Sequence, residues 1–179
     1  MHESDIMTHL RALLAFAVLL VACGPAAPAG DQQRHPLVGT TVPTVTLPRL
    51  GGGELSLEQP GRVVLVNFWG TYCPPCEAEM PDLERLYERY GPDRFTVLAV
   101  NVEEPAGHVA AFIERHGLTF PVLLSSDASV KPAFHLVGLP TSWLVAPDGT
   151  IRAVWPGPLP LATAAAQIEA LLAARANSR

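Results

Sequence analysis

The feature that most narrows the possible folds is a junction. Residues Arg62–Trp69 (RVVLVNFW) form an apolar, β-branched run, and after three more residues Cys73-Pro74-Pro75-Cys76 opens a segment of helical period. A strand without a polar face must be covered on both sides, as a central strand of an α/β sheet is. From about Pro74 to Tyr90, the residues Met80, Leu83, Leu86, Tyr87 and Tyr90 recur at three- and four-residue steps, which gives a helix one buried stripe. Pro81 inside that stripe predicts a kink.

The rest of the chain extends this unit. Val42–Leu50 and Glu54–Leu57 alternate in character around Gly51-Gly52-Gly53 and read as a β-hairpin. Phe95–Val102 is a second buried strand, Pro105–His116 an amphipathic helix ended by Gly117, and Phe120–Leu124 a third strand. Asp127–Leu136 reads as a short, proline-interrupted helix. The order β-α-β-α-β implies a parallel sheet with helices covering its faces. Thr141–Ala146 and Thr150–Trp155 flank Pro147-Asp148-Gly149, a turn suited to an antiparallel hairpin, so the sheet is mixed. An Ala-rich helix over Leu161–Ala174 closes the chain.

Chemistry concentrates at the junction. A thiolate is the species that attacks disulfides, and a helix start favours the anion through its unpaired N–H groups and positive dipole end. Cys73 is therefore the expected nucleophile. Cys76, one turn deeper, can attack the resulting mixed disulfide and release the partner. Pro74 suits the first helical position and Pro75 stiffens the loop. Glu77 acts in the opposite direction, since one negative charge disfavours another nearby. A zinc site needs four ligands, and no second Cys pair or His-x-x-x-His completes one, so no metal is expected. A purely structural disulfide over so short a loop would restrain little of the chain. His108, His116 and His135 lack partners at ligand spacing and read as surface or half-buried side chains.

The amino terminus carries its own signal. Arg11 precedes the apolar run Ala12–Ala22, which stops at Cys23-Gly24-Pro25, a signal-peptide layout too short for a spanning helix. Glu3 and Asp5 are out of place in a leader, which points to Met7 as the translation start. Leu20-Val21-Ala22-Cys23 resembles the lipobox of bacterial lipoproteins. Three cysteines in an exported chain leave one unpaired, and lipidation of Cys23 removes that anomaly. The reading is thus a signal peptide over residues 1–22, a lipid anchor and flexible Pro/Gly/Ala tether over 23–36, and a folded domain over 37–175. The net charge of −5 and the absence of a basic cluster argue against nucleic acid as a partner.

Asn67–Pro81, NFWGTYCPPCEAEMP, resembles the active-site segment of the TlpA/ResA-like thioredoxins, membrane-tethered bacterial reductases. VTLPRLGGGELSL, VLAVNVEE, FPVLL and GLPTSWLVAPDGT follow the family in order, from about Leu37 to Leu172. The resemblance implies a thioredoxin-like α/β fold: a central mixed sheet, flanking helices and an N-terminal hairpin. It implies that Pro140 is a cis-proline facing the cysteines, and that Glu104 is a carboxylate near the thiols that accepts a proton from the deeper Cys, with Glu103 as the alternative register. Trp69 and Tyr72 stand where the family has two tryptophans, and Gly70 stands where Ala is common; the aromatics read equally as packing or surface contacts. It further implies an extracytoplasmic, periplasmic or cell-surface, reductant of disulfides in exported proteins. Apocytochrome c in cytochrome c biogenesis and copper-site assembly proteins are the implied substrates, with a membrane thiol carrier as electron donor and no cofactor beyond the redox disulfide. Two other functions are open to such a chain. A thiol peroxidase would need a Pro-x-x-x-Thr-x-x-Cys loop, and no proline stands four residues before Thr71. A Cu(I) chaperone could use the two thiolates as soft ligands, yet such proteins of this fold space their cysteines by three and add a His.

Overall fold

The computed structural model describes residues 35–125 and 134–177. The leader, Cys23, most of the tether and most of the helix expected over Asp127–Leu136 lie outside the described residues. Phe134 and His135 at the end of that last segment form a turn.

The elements follow the expected order. Strands β1 (Thr46–Pro48) and β2 (Glu54–Ser56) form a two-stranded antiparallel hairpin. Next come β3 (Val63–Trp69), helix α1 (Pro74–Tyr90), β4 (Phe95–Val102), α2 (Ala106–His116) and β5 (Val122–Ser125). Finally come β6 (Thr141–Val145), β7 (Ile151–Pro156) and α3 (Leu161–Asn177). The main sheet has the order β5-β4-β3-β6-β7, with β3, β4 and β5 parallel and β6 and β7 antiparallel to their neighbours. Every residue of β3 and β4 is buried, as their apolar runs demand. At the β6–β7 turn, the Asp148 carboxylate accepts the Thr150 N–H at 2.9 Å, and this bond is the main cause holding its carboxyl below the usual range. Helix α1 runs unbroken through Pro81, and α2 ends at Gly117 in the left-handed conformation, φ 62°. Among the described residues, no helix is long and apolar enough to cross a membrane.

The two faces of the sheet are covered differently. Val63, Leu65 and Trp69 of β3 pack with Met80, Leu83 and Leu86 of α1, Val109 and Phe112 of α2, and Ile168 and Leu172 of α3. Val64, Val66 and Phe68 face the other way, against Val42, Leu47 and Leu57 of the N-terminal segment and against Phe134 and Trp143. Among the described residues all three helices thus serve one face, and the hairpin segment serves the other. The N-terminal segment also reaches both edges. Thr41 bridges Thr150 beside β7, Arg49 bridges Leu123 of β5, and the Leu50 N–H donates to the Val122 carbonyl at 2.9 Å.

Candidate active site

Strand β3 ends at Trp69, and the chain turns through Gly70, Thr71 and Tyr72 to deliver Cys73 as the N-cap of α1. Pro74 and Pro75 occupy the first helical positions, where their missing N–H groups cost nothing. Cys73 and Cys76 are joined in a disulfide with Cα atoms 5.2 Å apart. The two cysteines differ in access: Cys73 is 8 % exposed, whereas Cys76 is sealed. A cleft of about 490 Å³ borders Cys73 and is lined by residues 72–75 and 136–139. Within it Tyr72 and Val137 are 62 % and 86 % exposed, the two exposed large apolar residues of the described chain. The Tyr72 ring lies over Gly70, where an added Cβ would sit 2.7 Å from Cε1. Gly70 and Tyr72, the two departures noted in the sequence, are therefore one feature. Trp69 is instead a core residue, fully buried with its ring 5.0 Å from that of Phe112.

Pro140 follows a cis peptide bond and is buried, immediately after the residues that form the far wall of the cleft. Glu104, rather than Glu103, turns toward the site. Its carboxylate accepts the Thr71 N–H at 2.7 Å, the Thr71 hydroxyl and the Asn101 amide Nδ2 at 2.7 Å. Glu104 thus fastens the loop two residues before Cys73. Glu103 is exposed in a left-handed conformation, φ 62°.

A second acid went unnoticed in the sequence. Glu79 is buried on α1, three residues after Cys76 and so on the same helical face. It accepts a bond from Asn67 Nδ2 at 2.8 Å and another from the Leu159 N–H at 3.0 Å, while the same Asn67 amide donates to the Ser142 hydroxyl at 3.0 Å. Burial pushes the Glu79 carboxyl above the usual range, and the bonds from Leu159 and Asn67 pull it partly back. A carboxyl raised in this way by burial, three residues beyond the inner cysteine on the same helix, is a better proton acceptor than an exposed one. The signal was present: Asn67 is the one polar residue of a buried strand, and Glu79 is an acid on a buried stripe.

Comparison with known proteins agrees with this geometry. The AhpC/TSA family model matches residues 38–154, a span that contains both cysteines, Glu79, Glu104 and Pro140. The thiol-disulfide oxidoreductase ResA of Geobacillus kaustophilus is 41% identical over 121 residues, covering 67% of this chain and 70% of that one. Among solved structures, a thiol:disulfide interchange protein DsbE from Chlorobium tepidum aligns with a TM-score of 0.70 at 26% identity, over 79% of this chain and 98% of that one. StoA from Bacillus subtilis aligns with a TM-score of 0.60 at 26% identity, over 72% and 96%. A disulfide at the start of the helix that follows the central strand, in a thioredoxin fold matched over 72–79% of the chain, makes the chain a member of the AhpC/TSA family and a protein thiol-disulfide oxidoreductase of the ResA kind.

Proposed function

We propose that the protein reduces disulfides of exported proteins from the outer side of a membrane, held there by a lipid on Cys23. The observation that carries the reading is the asymmetry of the couple, with Cys73 open to a cleft and Cys76 sealed behind it. The Cys73 thiolate attacks one sulfur of the partner's disulfide. A Cys73–partner bond forms and the partner's other sulfur leaves as a thiolate. Cys76 passes its proton to the Glu79 carboxylate and attacks Cys73, which forms the Cys73–Cys76 bond and expels the partner's first sulfur. Two electrons have then moved to the partner, and a dithiol donor of the membrane returns the couple to the reduced state. No cofactor beyond the two sulfurs is required.

Cys73 starts with the helix N-terminus as an aid to its anion, and Glu104 fastens the loop before it at Thr71. The cleft then receives an extended segment of the partner, with Leu136, Val137 and Tyr72 offering apolar surface. Apocytochrome c and copper-site assembly proteins are the substrate classes that the family resemblance brings to this site. A peroxidase role is disfavoured by the sequence before Cys73, which has Gly70 at the motif's threonine position and Val66 at its proline position.

The mechanism is tested by trapping. A Cys76→Ser protein, reduced and mixed with exported proteins of its host, should accumulate mixed disulfides through Cys73, identified by mass spectrometry. The Cys73→Ser protein should accumulate none, and adducts of equal yield from both variants would overturn the assignment. Anchoring is tested separately. Cys23→Ser should move the protein from the membrane fraction to the soluble extracytoplasmic fraction; continued sedimentation with membranes would sink the lipid reading while leaving the chemistry intact.

A further inference from the structure

We propose that His116 is a positioning residue for the redox couple, acting through Glu77 to set how much of reduced Cys73 is thiolate. The inference rests on Cys73 being the attacking sulfur. Glu77 stands in the first turn of α1, and its N–H donates to the Cys73 carbonyl at 3.1 Å, so its side chain is one turn from the sulfur. A carboxylate there suits a helix N-terminus but competes with a thiolate for the same positive end of the dipole. Left alone, the Glu77 charge works against the Cys73 thiolate.

The structure supplies a counter-charge from another element. His116 is the last residue of α2, and its ring stacks on Phe112 with centroids 4.2 Å apart at 30°. Phe112 in turn packs on Trp69, the end of the central strand. This stack fixes the imidazole, and its Nε2 lies 3.3 Å from Glu77 Oε1. That nitrogen is buried and makes no hydrogen bond among the described residues, so its contact with Glu77 is one of charge rather than of hydrogen bonding. Other charged groups on these elements are Glu84 of α1, bound to the Thr119 N–H and hydroxyl, and Glu114 and Arg115, which precede His116 in its own helix. Glu84 is occupied by Thr119, and Glu114 and Arg115 are exposed, which leaves Glu77 as the direct partner.

The consequence has a definite sign. With the imidazole protonated, Glu77 and His116 form a neutral pair and the dipole acts on Cys73 unopposed. With the imidazole neutral, the Glu77 charge is bare and the thiolate is penalised. His116 therefore adds to the thiolate fraction of Cys73 whenever it carries its proton. The pair is half-exposed on the Glu77 side, which limits the effect to that of a surface pair, about two- to fivefold in thiolate fraction.

The test is alkylation of reduced Cys73 by iodoacetamide from pH 5.5 to 9, with the modified cysteine identified by peptide mass. Phenylalanine at 116 keeps the stack and removes the charge. His116→Phe should slow Cys73 alkylation about two- to fivefold at pH 6 and match the unaltered protein at pH 9. In a Glu77→Gln background the same change should have no effect at either pH. Equal slowing of His116→Phe at both ends of the range, or slowing that persists without Glu77, would overturn the proposal. If Cys76 rather than Cys73 is the cysteine that reacts in every variant, the catalytic assignment itself has failed, a result distinct from loss of the His116 effect.

Discussion

Glu79→Gln should slow release of the mixed disulfide on the order of a hundredfold at neutral pH, the usual contribution of one well-placed proton acceptor. Cys76 cannot attack Cys73 as a thiol, and among the acids described around the couple Glu79 alone is both buried and on the same face of α1. The substitution is close to isosteric. The Asn67 amide, whose Oδ1 has no partner among the described residues, can turn over to receive the new NH₂ group. Stopped-flow mixing of the reduced variant with a peptide disulfide should reveal an accumulated adduct that decays slowly, and turnover equal to that of the unaltered protein would remove Glu79 from the mechanism. Stability moves the opposite way. A carboxyl whose folded pKa is raised favours the fold fully below its unfolded pKa, about 4.3, and that contribution is lost as pH rises through the folded value. The oxidised Glu79→Gln protein should therefore melt above the unaltered protein at pH 8 and close to it at pH 4.

Trp143→Ala should cost about 3–5 kcal/mol of stability and lower the melting temperature on the order of 10 °C. Trp143 is fully buried in β6, with its ring 4.9 Å from Phe68 and 5.4 Å from Phe134, both near edge-on. Phe134 begins the segment that continues into residues 136–139 of the cleft, so the cavity would loosen one wall of the site as well as the core. Calorimetry of the oxidised variant reads the first effect, and the Michaelis constant for a peptide disulfide reads the second. A melting temperature within a few degrees of the starting value would mean that Phe68 and Phe134 collapse into the space.

Much of this was legible before any coordinates. The strands with no polar face, the helix stripe and the Pro-Asp-Gly turn each encode one local environment, and each appears where the periodicity put it. The cysteine pair was legible because its position, between a buried strand and a helix start, is written contiguously in the chain. Glu79 was not, because its role depends on Asn67, Ser142 and Leu159, which come from 12 to 80 residues away. Read along the chain, it is one charge in a helix that has several. Glu104 was located by resemblance as an acid near the thiols, yet its bonds go to Thr71 and Asn101, a fastening role that only the fold could disclose. His116 was set aside for want of a partner at ligand spacing. Its partner lies 39 positions back on a different helix, where spacing rules do not reach.

The N-terminal segment that crosses one face of the sheet has a consequence for how polypeptides are received. At one margin it occupies Thr150 and Ile151, and at the other it occupies Val122 and Leu123 of a strand only four residues long. A passing chain finds those ladder positions already taken. With those positions filled, the cleft beside Cys73 is the open surface left to carry the chemistry.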